Sequence, residues 1–419
     1  MPHPLLVLSN GHGEDLIALR LIRALVAQAP AQEVRVLPLV GLGSGLALAE
    51  AEGILQRIGP RQTLPSGGFS NQSLRGLLGD LGAGLPLLSL RQWQWTRHWG
   101  RRGWPILAVG DLLPLLLAWG SGAPFGFIGT PKSDYTWTSA PPPGWGSSPL
   151  ADCYHRCKGS EWDPWEWALM GSRRCRLVAV RDGLTARGLR RHRVAALAPG
   201  NPMMDGFTAK ALPAALANRR RLLLLCGSRL PEALGNFQRL LQALCGLEGQ
   251  AAITVLAATG ARPTPAELAP LLERQGFRPA ALPADTGAAQ AWRRQELQLL
   301  LGPGQFEPWA SWAELGLATA GTATEQLTGL GKPVLSLPGP GPQFKAGFAR
   351  RQSRLLGGAV RPCHSPAELA RELQLLLGDA ALAAKLGRIG RRRMGRGGGS
   401  AALAALLEVR LLRSAVQGG

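Results

Sequence analysis

Four short stretches hold residues whose types and spacing could do chemistry. In "LATAGTATEQLTGLGKPV" a strand-like run gives way to Gly321, Thr322, Ala323 and Thr324, followed by Glu325 and Gln326. A helix that opens on small residues exposes backbone N–H groups. With the helix dipole these form a seat for an anion such as a diphosphate. Glu325, in the first turn, could accept hydrogen bonds from a ribose diol. The same residues also fit an ordinary helix capped by a Thr, with Glu325 completing the cap. "LLLLCGSRLPEA" repeats the strand-to-helix junction with Gly227, Ser228 and Arg229. Arg229 is either a planar fork for phosphate or a surface residue in a turn. Near the start, "SNGHGEDL" sets Asn10, Gly11, His12, Gly13 and Glu14 in a Gly-rich turn that heads a helix. His12 at its tip is a candidate general base near neutral pH, or a hydrogen-bonded structural histidine. Asp111 closes the run "PILAVGD". A carboxylate there can act as a base or hold an acceptor hydroxyl, or it can cap the helix starting at Leu112.

Such loops need strands and helices to position them, and the chain supplies both in alternation. "LLVLSNG", "EVRVLPLV", "PILAVGD", "PFGFIGT" and "RLVAVRD" read as buried strands with helical patterns between them. A second series follows with "RRLLLLCGSR", "AAITVLAATG", "LQLLLG", "LGLATAG" and "KPVLSLPG". Continuous apolar strands separated by helices predict parallel sheets covered on both faces. The expected fold is two doubly wound Rossmann-like α/β domains facing a cleft, over residues 1–205 and 206–419. Ligands are expected at the carboxyl ends of the strands. The last helices could pack back on the first domain. Residues 131–170, rich in Pro, Gly and Trp, are expected as an irregular insertion.

Composition narrows the function. At 419 residues the chain is long enough for two domains, and 46% hydrophobic against 18% charged residues is a globular balance. The formal net charge of +20 favours an anionic partner. It does not by itself choose between a nucleotide, a nucleic acid and a membrane surface. No nucleic-acid module is recognisable, so no nucleic-acid partner is expected. Six cysteines are sparse for this length, which fits a reducing compartment rather than a disulfide scaffold. Cys153, His155 and Cys157 in "CYHRC", with Cys175, hint at metal, but their spacing matches no standard zinc pattern and no metal is assigned. No P-loop and no Gly-x-Ser-x-Gly elbow occurs. No two Asp residues are separated by one residue, so a metal-bridged diphosphate lacks support. The chain opens directly on a strand-like run without a visible leader, and no apolar run reaches the ~18 residues of a membrane span. A cytoplasmic protein, peripheral on the membrane, is expected.

Taken together, these loops resemble the lipid-A-disaccharide synthase family of GT-B glycosyltransferases, and most closely its synthase-related branch. "AGTATEQLTGLGKPV" is similar to the family's Ser-Gly-Thr-Ala-Thr-Leu-Glu segment. "LCGSRLPEA" is similar to its Pro-Gly-Ser-Arg-x-x-Glu-Ile loop, and "GNPMMD" to its Gly-His-Pro-Leu-x-Asp linker. "SNGHGED", "KGSEWDPWEWALM" and "GPGPQF" extend the likeness to the related branch. The resemblance implies a GT-B fold and a UDP-sugar donor held in the second domain by Gly227, Ser228, Arg229, Gly321, Thr322, Ala323, Thr324, Glu325 and Gln326. It also implies inverting, metal-independent transfer of a hexose or N-acetylhexosamine to a lipid acceptor. Asp111 and His12 would be the catalytic candidates, with Asn10, Gly11, Gly13 and Glu14 on the acceptor side. The first-domain motifs depart from the synthase, with "NGHGED" where the family has Gly-Glu-x-Ser-Gly-Asp. The acceptor is therefore not fixed.

A lipid acceptor fits one further stretch. Trp93, Trp95 and Trp99 lie among Arg97, Arg101 and Arg102 in "LRQWQWTRHWGRRGW". Trp and Arg together suit an anionic membrane interface, while a helix with Trp on the core and Arg in solvent has the same pattern. "KLGRIGRRRMGRGG" is a second basic run and reads as a solvated face. A soluble UDP-sugar epimerase of the same fold is the main alternative function. The oligomeric state is left open.

Overall fold

In the computed structural model the described residues are 3–62, 84–146, 148–247, 252–339, 341 and 344–413. The chain forms two compact units. One comprises Met1–Trp137, Ser148–Asp205 and Gly395–Gly419; the other comprises Thr138–Ser147 and Gly206–Met394.

The first unit is built on a sheet of β1 (Leu5–Ser9), β2 (Val34–Pro38), β3 (Gln56–Arg57), β4 (Ile106–Gly110), β5 (Phe125–Gly129), β6 (Cys175–Val180) and β7 (Ala196–Leu197). Their spatial order is β3-β2-β1-β4-β5-β6-β7, and every pairing is parallel. Val7 pairs with Val36 on one side and Leu107 on the other. β1, β4 and β5 are buried at every position, as strands covered on both faces must be. Leu6, Leu8, Ile106, Ala108, Phe125 and Phe127 join one core with Trp99 and Trp162.

The "GNPMMD" stretch has a definite structural task within this unit. Asp205 accepts the backbone N–H groups of Gly399 at 3.2 Å and Ser400 at 2.7 Å, at the start of the helix Gly399–Leu407. A Cβ on Gly399 would meet the Asn201 backbone at 2.7 Å, so the chains touch backbone to backbone. Arg20, on the helix His12–Gln28, clamps the turn through the Pro202 and Met203 carbonyls at 2.9 and 2.8 Å.

The second unit holds β8 (Arg220–Leu225), β9 (Ile253–Thr259), β10 (Arg278–Ala280), β11 (Gln290–Arg294), β12 (Leu297–Pro303), β13 (Leu315–Ala318), β14 (Val334–Ser336) and β15 (Val360–Pro362). Their order is β10-β11-β12-β9-β8-β13-β14-β15. Leu317 pairs in parallel with Leu224 and Leu335. β10 and β11 run antiparallel and extend one edge. Beside the opposite edge lies the segment Thr138–Ser147. Trp145 donates its indole N–H to the Pro362 carbonyl at 3.1 Å and stacks on His364 at 4.2 Å. Arg350 and Arg354 donate to the Gly146 and Ser139 carbonyls at 2.7 and 2.9 Å.

Residues 131–170 are more regular than their composition suggests. They include the helices Tyr135–Thr138, Pro149–Lys158 and Pro164–Met170. The last starts at a capping box in which Asp163 and Glu166 satisfy each other's backbone N–H groups.

Candidate active site

Chain order reverses between β1 and β4 in the first sheet and between β8 and β13 in the second. At such a switch point neighbouring loops diverge to opposite faces and leave a crevice at the strand ends. The candidate residues of each unit gather there.

In the first unit, Asn10 and Gly11 follow β1, and Gly110 with Asp111 ends β4. Gly110 sits at φ 136°, and a Cβ there would come within 3.0 Å of the Asn10 Cβ and 3.5 Å of the Glu14 Cγ. This close approach requires glycine. Asn10 Nδ2 donates to Asp111 Oδ1 at 2.9 Å, and the same oxygen accepts the Leu113 N–H at 3.2 Å. Asp111 therefore does cap the helix Leu112–Gly120 while lying at the site. Asn10 Oδ1 is buried and has no hydrogen-bond partner among the described residues. Gly11, at φ 98°, is the N-cap of the helix His12–Gln28, and its carbonyl accepts the Glu14 N–H at 3.0 Å. Gly13 lies in the first turn of this helix.

Glu14 is the residue whose chemistry the sequence left unread. The Thr130 hydroxyl, just past β5, donates to Glu14 Oε1 at 3.2 Å. Burial pushes the Glu14 carboxyl up to about 7, and the Asp111 charge adds to the rise. Burial also raises the Asp111 carboxyl, against the Leu113 N–H and the Lys132 charge that hold it down. Next to Glu14, Asp15 is buried and takes the Ser9 hydroxyl. The side chain of His12 lies outside the described residues.

In the second unit, Gly227 at φ 91° turns the chain after β8, and Thr319 follows β13 with its N–H on the Leu225 carbonyl at 2.9 Å. The two loops are thus tied together. Ser228 is exposed and Arg229 half-buried; burial lowers the Arg229 pKa, and Glu232 pulls it back up. The helix Thr322–Gly329 starts at Gly321 with no side-chain cap, which corrects the expected Thr cap. The T-x-T-E spacing misleads because the Thr324 hydroxyl turns back to the Ala320 carbonyl at 2.7 Å. The first intrahelical bond is Glu325 N–H to the Gly321 carbonyl at 3.2 Å. The N–H groups of Thr322, Ala323 and Thr324 therefore head the helix without intrahelical acceptors. Thr322, Ala323 and Glu325 are partly exposed, whereas the Thr324 and Gln326 side chains are buried.

Two supports of this helix were not foreseen. Gln352, buried on the helix Ala346–Leu355, donates to the Gly321 carbonyl at 3.2 Å. On the helix Ala380–Met394, a Cβ at Gly387 or Gly390 would fall 2.3 Å from the Gly331 oxygen or 2.4 Å from the Thr328 oxygen. Only glycine allows this backbone-to-backbone packing. The basic run thus presents a glycine face to the Thr322–Gly329 helix, while Lys385, Arg388, Arg391 and Arg392 remain exposed.

The Trp/Arg segment is the helix Leu85–Arg101, which buries Leu88, Gln92, Thr96 and Trp99 at helical spacing. Trp99 is 3% exposed and donates to the Pro105 carbonyl at 3.3 Å, so it belongs to the core and not to a membrane contact. Trp93 is half-buried beneath Arg97, at 5.1 Å. Trp95 is exposed with Leu87 and Leu90, and Leu116 and Trp119 are exposed on the adjoining helix Leu112–Gly120. Arg101 and Arg102 are exposed as well. No described helix is long and apolar enough to cross a membrane. Among the described residues no cluster of His, Cys, Asp or Glu is arranged to hold a metal ion. Cys153 and Cys157 are exposed, and burial pushes the Cys175 thiol up to about 12.

Two doubly wound sheets with these topologies define a GT-B fold. The chain is similar over nearly its whole length to several solved structures of that fold. MurG from Acinetobacter baumannii matches with a TM-score of 0.57 at 16% identity, over 98% of this chain and 100% of that one. MnaA from S. aureus, solved with UDP, matches with a TM-score of 0.57 at 11% identity, over 97% and 96%. A UDP-N-acetylglucosamine 2-epimerase matches with a TM-score of 0.53 at 13% identity, over 98% and 96%. No family model matches the sequence, and no curated protein matches it.

Proposed function

We propose that this protein is a glycosyltransferase that moves a hexose or N-acetylhexosamine from a UDP-sugar to a lipid acceptor at the cytoplasmic membrane surface. The carrying observation is the placement of both candidate residue sets at topological switch points, anion-ready in one unit and carboxylate-bearing in the other. The N–H groups of Thr322, Ala323 and Thr324, with Arg229, would neutralise the leaving diphosphate and make a metal unnecessary. Glu325 would hold the ribose. The acceptor hydroxyl would attack the anomeric carbon from the face opposite the diphosphate, inverting it. Asp111 would take the hydroxyl proton and Glu14, beside it, would pass that proton on. The exposed Leu87, Leu90, Trp95, Leu116 and Trp119, with Arg101 and Arg102, support a peripheral contact with an anionic bilayer.

The test is a panel of UDP- and GDP-sugars incubated with total membrane lipids, read by release of nucleoside diphosphate. Release that needs both a UDP-sugar and lipid supports the reading, and release with neither dependence refutes it. A second reading, a UDP-sugar epimerase, is favoured by the similar structures that carry that name. Conversion of UDP-N-acetylglucosamine to its C2 epimer without any acceptor would establish it instead.

A further inference from the structure

The two oxygens of the Asp111 carboxylate are not held alike. Oδ1 accepts two donors, the Asn10 amide at 2.9 Å and the Leu113 N–H at 3.2 Å. Oδ2 accepts no hydrogen bond among the described residues. Leu113 belongs to the helix that Asp111 caps, so its N–H is accounted for by the cap. Asn10 is not part of that cap. It follows β1, lies 101 residues away in sequence, and reaches Asp111 only because β1 and β4 are neighbours in the sheet.

The Asn10 side chain has little freedom. A Cβ on Gly110 would come within 3.0 Å of the Asn10 Cβ, so the end of β4 presses directly on it. Its amide cannot be turned over either, since that would set one acceptor oxygen against another. With the NH2 end on Asp111, the carbonyl end is buried and unpaired among the described residues. A buried carbonyl without a donor costs about as much stability as a hydrogen bond to a charged group contributes. Leucine has nearly the same shape and neither polar end. Stability alone therefore gives no reason for an amide at this position.

The contact does have an effect on geometry. A carboxylate turns easily about its last torsion, and a single donor from its own helix leaves that turn loosely defined. A second donor, fixed on a neighbouring strand, sets the plane. We propose that Asn10 is a positioning residue: by holding Oδ1 it orients the Asp111 carboxylate and leaves Oδ2 as the oxygen that takes the proton of the acceptor hydroxyl. This rests on the glycosyl-transfer reading for its use, and the first arm of its test does not.

The first arm is a carboxyl 13C NMR titration of the full chain, labelled at Asp and Glu side chains, with no sugar nucleotide present. The Asp111 resonance is assigned by its loss in Asp111→Asn, and Glu14, which shares the site, is followed in the same spectra. In Asn10→Leu the ionised carboxylate loses a donor, so Asp111 should bind its proton roughly 3–10-fold more tightly. The melting temperature should stay near that of wild type. Asn10→Ala replaces the Leu variant if that one does not fold. An unmoved Asp111 midpoint, or a large loss of melting temperature in both variants, overturns the proposal. The second arm is nucleoside diphosphate release from UDP-sugars with total membrane lipids. Asn10→Leu should lower kcat roughly 10-fold with the donor KM unchanged, and should add no further loss in Asp111→Asn. Losses that simply multiply would show that Asn10 does not act through Asp111. If wild type releases no diphosphate while the Asp111 midpoint moves as expected, the proposed reaction fails and the hold of Asn10 on Asp111 stands.

Discussion

Replacing Glu14 with Gln isolates the cost of a charge at the first-unit site. The carboxyl is displaced from 4.5 to about 7, with burial as the leading cause. At ~1.4 kcal/mol per pH unit, the ionised form is disfavoured by about 3 kcal/mol in the fold. Below pH 4.5 the group is protonated whether the chain is folded or not, and its proton stabilises the fold in full. Between pH 4.5 and 7 the folded state keeps a proton that the unfolded state has released, so stability falls as pH rises through this window. Gln has nearly the same shape, accepts from Thr130 in the same way and never ionises. Urea unfolding should therefore find Glu14→Gln equal to wild type at pH 4 and more stable by about 2–3 kcal/mol at pH 8. A gap of the same size at both pH values would mean that packing, not charge, separates the two proteins, and the electrostatic reasoning would fail.

Three further outcomes are expected. Thr322→Asp puts a like charge at the head of the Thr322–Gly329 helix, so UDP should raise the melting temperature of wild type but not of the variant; equal rises would move the nucleotide elsewhere. Asp111→Asn should lower turnover ~10²–10⁴-fold with donor affinity nearly intact, and retention of more than about a tenth of the activity would remove Asp111 from the role of base. Leu87→Ser with Trp95→Ser should weaken pelleting with anionic vesicles and leave the melting temperature in place, whereas Trp99→Ala should cost about 3–5 kcal/mol of stability without a specific effect on pelleting; unchanged pelleting of the first variant would count against the membrane face.

The parallel strands were legible because strands buried on both faces are continuous apolar runs, as "LLVLS" and "ILAVG" are. β10 and β11 were not, because an edge hairpin such as "QAWRR" is short and half polar. β3, β7 and β15, with only Gln56–Arg57, Ala196–Leu197 and Val360–Pro362, are too short to leave a pattern to read. The helices within residues 131–170 were hidden by Pro and Trp, although Pro in the first helical turn is where that residue belongs. Asp111 was readable as a helix cap, which the fold bears out, and as a candidate site residue, because both readings follow from its place at a strand end. The proton affinity of Glu14 was not, since it depends on burial and on Asp111, which only tertiary folding brings near. Trp99 and Trp95 look alike in sequence, and only helical phase decides which faces the core.

The backbone crosses between the two units at four places, after Trp137, Ser147, Asp205 and Met394. Neither unit is a contiguous cassette of the gene. Ending the chain at Asp205 would strip the first unit of the helix Gly399–Leu407 and leave Asp205 with nothing to cap. Starting at Gly206 would cost the second unit the segment that Trp145 pins beside β15. A protease that nicks one linker would leave the pieces held by the other crossings. Recombination that swaps the second unit for that of a relative would have to exchange residues 138–147 along with 206–394. The two halves of this chain are thus obliged to be inherited together.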